Sequence, residues 1–237
     1  MGKVILNCDL GESESAAQTE RLMALVGAAN ICCGVHAGSE AKTRATLELA
    51  KCYGVMVGAH PGLSVDGGRG AALPSVVELG ALLDAQLSSF ISIANEVDVP
   101  VSYVKLHGTL YHAVEANPEL AEVLVSRIKA MDTNMGMFCF AGGAFAVTAR
   151  AAGIRVWEEL FADRAYTADG GLMPRGQDGA VIETVSEAVE RMRRWLNAGE
   201  MPTSEGEGVK LRAETVCVHS DSPNSVQLLE ALGELLN

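Results

Sequence analysis

The chain has 237 residues, 49% hydrophobic and 20% charged, a composition that excludes an intrinsically disordered chain and supplies material for one large core. Its formal charge of −12 argues against nucleic acid or an anionic membrane surface as a partner, while a local cluster of Lys and Arg can still make one pocket positive. No charge-free apolar stretch has the length of a membrane span, the N-terminus lacks a signal peptide's apolar run, and the six cysteines show no CxxC spacing, so buried thiols in a cytoplasmic protein are expected.

Taken in chain order, short apolar runs at 4–8, 30–35, 55–59, 101–106, 136–141, 154–158 and 215–218 read as strands. Segments near 14–27, 40–53, 75–96, 118–131, 143–152, 184–198 and 224–236 read as helices, and Leu79, Leu82, Leu83, Gln86, Leu87 and Phe90 carry the spacing of a buried helical face. Strand-then-helix alternation requires parallel strands with crossover helices. Seven or so units over this length predict a distorted (β/α) TIM-like barrel occupying residues 1–237 as a single domain, with an open doubly wound sheet as the alternative. Residues 62–70 and 166–179 read as long loops, and the polar stretch 199–208 is the best linker candidate.

Four histidines directly follow apolar runs, namely His36, His60, His107 and His219, and Asp9 follows the first run in the same way. In a parallel α/β fold the carboxyl ends of the strands share one side, so these five groups should meet in one mouth. Each alone has a bland explanation, such as a helix cap for Asp9 or a loop hydrogen bond for a histidine. Lys105 and His107 share a strand face by alternation. A buried Lys105 needs an anion, which is either a bound carboxylate or phosphate, or an internal partner such as Asp9 or Glu12. Asp163 and Arg164 begin a loop, and Arg69 and Arg175 lie in the two long loops, where with Lys105 they would make a positive pocket. His112 lacks the HExxH spacing and reads as structural. No phosphate loop, GxGxxG turn or GxSxG elbow is present.

The segments LNCDLGE at 6–12, ANICCGVHAG at 29–38, GAHP at 58–61, KLHGTLY at 105–111, FADRAY at 161–166, ADGGLMPR at 168–175 and TVCVHSD at 215–221 resemble, in this order, the motifs of the LamB/YcsF family. Departures are the loop around Asp66, Gly67, Gly68 and Arg69, shorter and without the family's Phe, and Val35, Leu106 and Ser220 where Phe, Pro and Gly are usual. The resemblance implies a distorted barrel related to glycoside hydrolases and polysaccharide deacetylases. It also implies hydrolysis of 5-oxo-L-proline to L-glutamate with ATP as co-substrate, in company with two partner subunits, PxpB and PxpC. The ATP site is then expected on a partner or between chains, and further copies of this chain as partners stay open.

For such a reaction Asp9 with His36 or His60 would do acid and base work, and Lys105, Arg69, Arg164 and Arg175 would stabilise anions. His107, Asp163, His219 and Asp221 would complete the rim, with Asn7 and Glu12 orienting them. By analogy with deacetylases, Asp9, His36 and His60 would hold a divalent metal. The rival readings are a stand-alone metal-dependent amidohydrolase or deacetylase, and a non-catalytic subunit that only positions substrate.

Overall fold

Each of the seven apolar runs forms a parallel strand in the computed structural model, which describes residues 3–70, 72–131 and 134–236. The first three strand–helix units are β1 (Ile5–Leu10) with α1 (Ala16–Met23), β2 (Ala28–Cys32) with α2 (Glu40–Tyr53), and β3 (Met56–His60) with α3 (Val76–Glu96). Next come β4 (Val101–Val104) with α4 (Gly108–Ala116) and α5 (Pro118–Ala130), then β5 (Gly136–Phe140) with α6 (Ala144–Ala151). The chain ends with β6 (Val156–Phe161), α7 (Val185–Ala198), a hairpin of β7 (Glu200–Pro202) and β8 (Gly208–Lys210), β9 (Thr215–Val218) and α8 (Ser225–Leu236). The strand order β1-β2-β3-β4-β5-β6-β9 closes on itself, because β9 pairs with β6 on one edge and with β1 on the other. This closed barrel excludes the open sheet.

Local signals set the helix ends. Ser15, Ser39 and Thr184 cap α1, α2 and α7 through their side chains, and Ser75 with Glu78 forms a capping box on α3. Asn117 caps α5 just before Pro118 at its first turn. Gly54 and Gly199 end α2 and α7 in the left-handed conformation, at φ 67° and 69°. By length and composition α3 is apolar enough to cross a membrane. In the fold it is a barrel helix that buries Leu79, Leu83, Leu87 and Phe90 and packs on α5.

The bottom of the barrel is plugged by aromatic rings. Tyr103 stacks on Phe138 with centroids 3.8 Å apart, and Trp157 meets both edge-on, with Ala28 filling the remaining space. Gly58 makes room for this plug, since a Cβ there would lie 2.1 Å from the Tyr103 ring. The upper half of the barrel is polar.

One stretch differs from its sequence reading, and one predicted loop is held more firmly than a connection need be. Residues 199–208, the linker candidate, start the β7–β8 hairpin, which packs on α7 and is tied down where Trp195 Nε1 donates to Leu211 O at 2.9 Å. The loop 166–179 is pinned by bridges from Tyr166 to Leu172 and Thr203. Strands of three residues are too short for alternation to register.

Candidate active site

Alternation along the strands sends Asn7 and Asp9 of β1, Asn30 of β2, Glu159 of β6, and Thr215 and Cys217 of β9 into the barrel. Lys105, just past β4, reaches into their midst. Its Nζ donates to Asp9 Oδ1 at 3.0 Å and lies 3.1 Å from both Glu159 Oε1 and Cys217 Sγ. Asn30 donates to Asn7 and Asp9, each at 2.7 Å, and takes a hydrogen bond from Tyr103 at 2.7 Å. Asn7 and Tyr111 donate to the two oxygens of Glu159 at 2.8 and 3.1 Å. Every polar group of this layer is thus partnered, as burial requires. Burial works against ionised Lys105, but Asp9, Cys217 and Glu159 outweigh it and hold the ammonium well above its ordinary value. Burial likewise opposes ionised Asp9, and Lys105 and His60 hold it well below its usual range. Burial wins at Glu159, whose value is raised despite Lys105.

Above this layer three imidazoles and one carboxylate converge. His60 ends β3, His107 opens α4, and His36 and Glu12 come from the loops after β2 and β1. Their ligand atoms all lie within 4.8 Å of one another. His36 and His107 are stacked at 4.0 Å, and His60 stands edge-on to both. The loop after β1 is held by Lys42, which donates to the carbonyls of Glu12 and Glu14.

On the opposite wall Asp163 grips His219. The carboxylate accepts from the His219 backbone N–H and from its Nδ1, each at 3.0 Å, and also from the Ser222 hydroxyl. This fixes the proton on Nδ1 and leaves Nε2 for a ligand. Burial opposes the charges, yet the pairing holds Asp163 down to about 2 and raises His219. Phe161 supports the ring by stacking at 5.5 Å.

Between these walls lies a cavity of about 330 Å³ bordered by Asp9, His60, Lys105, His107, Phe161 and His219, with Arg69, Arg164 and Arg175 at its edge. Arg175 makes two hydrogen bonds to Asp221, at 2.7 and 2.8 Å, and Arg69 reaches the same carboxylate at 3.4 Å. Arg164 is spent internally, donating to the carbonyls of Ala180 and Met173.

The strand-end residues Asp9, His36, His60, Lys105, His107 and His219 do meet at one end of the barrel, with Asn7, Glu12 and Asp163 among them. The rim receives Arg69, Arg164, Arg175 and Asp221. Three details differ from expectation. The internal anions of Lys105 are Asp9 and Glu159, whereas Glu12 turns to the histidines. The four-residue cluster contains Glu12 and His107 in addition to His36 and His60, while Asp9 Oδ1 is taken by Lys105 and Asn30. His112 is exposed, yet its ring reaches the cavity wall. Sequence reasoning missed Asn30, Glu159, Tyr111 and Cys217. The available signal was a polar residue inside a strand, in phase with an inward neighbour such as Phe161 beside Glu159.

The model of the LamB/YcsF family matches residues 4–237. The chain is 36% identical to the 5-oxoprolinase A subunit of Pyrococcus abyssi, covering 99% of this chain and 94% of that protein. It is also 36% identical to the 5-oxoprolinase A subunit of Tolumonas auensis, with 95% and 92% covered. The solved structure of the lactam utilization protein from Thermus thermophilus superposes with a TM-score of 0.88 at 34% identity, covering 98% of this chain and 97% of that one. With the motifs in order, the barrel closed and its mouth assembled from those motifs, the chain belongs to the LamB/YcsF family.

Proposed function

We propose that this chain opens the lactam ring of 5-oxo-L-proline to give L-glutamate, as one member of an ATP-consuming complex. The observation that carries the reading is Asp9 on one wall of the cavity and the carboxylate-held His219 on the other. A lactam carbonyl is a poor electrophile, because attack must overcome amide resonance. Transfer of a phosphoryl group from ATP to the amide oxygen activates the carbon. Water adds to it, the ring C–N bond breaks as the nitrogen is protonated, and a second water cleaves the acyl phosphate left behind to give glutamate and phosphate. The water needs a base, the ring nitrogen an acid, and the substrate carboxylate a cation. Asp9 Oδ2 serves as base, and His219, held charged beside Asp163, gives the proton from Nε2 to the ring nitrogen. Arg175 and Arg69, poised at the rim on Asp221, receive the carboxylate.

The relatives are named as one lettered subunit of 5-oxoprolinase, which fits an enzyme of several chains. We take PxpB and PxpC as the partners, with the nucleotide bound by them or at their junction with this chain. The six free thiols suit the reducing cytoplasm. Reconstitution with both partners and a panel of lactams tests the proposal. Glutamate should form from 5-oxo-L-proline only when all three chains and ATP are present. Turnover by this chain alone without ATP would instead establish the stand-alone amidohydrolase. In the complex, Asp9→Asn should lower kcat by about 10²–10⁴-fold, and Arg175→Ala should mainly raise KM.

A further inference from the structure

We propose that Glu12, His36, His60 and His107 form a binding site for one divalent transition-metal ion, with zinc as the first choice. The proposal stands on these side chains and does not depend on the lactam reading. Glu12 Oε1 lies 3.0 Å from His36 Nε2, 3.0 Å from His107 Nδ1 and 3.7 Å from His60 Nε2, and the last two nitrogens are 2.9 Å apart. Bonds of about 2.0–2.1 Å to a tetrahedral zinc ion place neighbouring ligand atoms about 3.3–3.4 Å apart. The observed spacings bracket that edge length.

The far nitrogens decide what the near ones carry. His60 Nδ1 meets Lys105 O at 2.8 Å, and His107 Nε2 meets Gly67 O at 3.1 Å. A carbonyl only accepts, so each neutral ring must place its single proton there. His60 Nε2 and His107 Nδ1 then present lone pairs to each other and to the Glu12 carboxylate. Three acceptors 2.9–3.7 Å apart repel unless a cation sits among them. Backbone carbonyls on the outer nitrogens are also the usual support of metal-bound imidazoles. The backbone after β3 comes close to two of the rings, since a Cβ on Gly62 would lie 2.5 Å from His36 Nδ1 and one on Gly68 2.5 Å from His107 Cδ2. The loop after β3 therefore lies flat against the cluster. Three imidazoles and one carboxylate are a donor set for zinc and its first-row neighbours rather than for calcium or magnesium.

Asp9, Cys217 and His219 also bring ligand atoms within 4.8 Å of one another. Lys105 Nζ already occupies that centre, 3.0 Å from Asp9 and 3.1 Å from Cys217, so a metal ion would face an ammonium there.

The test uses the purified chain stripped with a chelator at about pH 7.5–8, where imidazoles are neutral as a rule, and reloaded with zinc or cobalt(II). Elemental analysis after desalting should give one ion per chain, and cobalt(II) should add the visible absorption of a nitrogen-rich site. His107→Gln and Glu12→Gln should each weaken zinc binding at least tenfold while keeping the circular dichroism of the parent. His112→Ala, which removes an exposed histidine outside the cluster, should bind as the parent does. Uptake far below one ion per chain, or affinity unchanged in both His107→Gln and Glu12→Gln, would overturn the proposal. The first of those results would leave a shared proton as what holds the cluster together. Neither touches the ATP-dependent lactam assay, so the two readings fail separately.

Discussion

Lys105 is the residue on which most of the interior depends. It balances two buried carboxylates, so Lys105→Met strands Asp9 and Glu159 without a cation. Loss of about 3–5 kcal/mol is expected in urea unfolding. Adding Glu159→Gln should restore part of it, and strictly additive losses would argue against the pairing. The Asp163–His219 pair predicts a pH profile. Asp163 is held down to about 2, so its contribution is full above the ordinary 3.8 and fades as pH falls towards 2. His219 is raised, so its contribution is full below the ordinary 6.5 and fades as pH rises through the raised value. The pair therefore stabilises most between pH 3.8 and 6.5. Asp163→Asn should flatten both limbs of stability against pH, and an unchanged profile would refute the linkage. At this scale Asp9 and the four strand-end histidines were legible because a titratable group directly after an apolar run stands out. Glu159 and Asn30 were not, since a polar residue within a run reads as noise until the inner face is known.

At the scale of elements, the seven strands and most helices follow from periodicity and caps, because each apolar run is long enough to show its pattern. α4 is absent from the predicted helices, being a single short helix pressed between a strand end and α5. The β7–β8 hairpin owes its order to α7 and Tyr166, contacts that local sequence does not announce. The aromatic plug makes a direct prediction. Gly58→Ala should cost about 1–3 kcal/mol by forcing Tyr103 off Phe138, seen as a lower Tm and a changed near-ultraviolet circular dichroism. Ser75→Ala removes one half of the capping box and should cost about 1 kcal/mol, with the near-ultraviolet signature of the plug intact.

For the whole molecule, alternation and the number of units foretold a parallel barrel, and its closure is made by β1 and β9 finding each other across the length of the chain. Stability should grade from barrel to periphery. Hydrogen exchange should find β1, β2 and β9 amides slowest, with the β7–β8 hairpin and the loop after β3 opening well before them; uniform protection would contradict this order. The β1–β9 seam also bears on biosynthesis. While the polypeptide is being made, β1 and β6 are bare borders awaiting a mate that the ribosome delivers after every other barrel strand. The nascent sheet is therefore a sticky arc until β9 emerges, and protection from its neighbours must come from chaperones or from rapid closure.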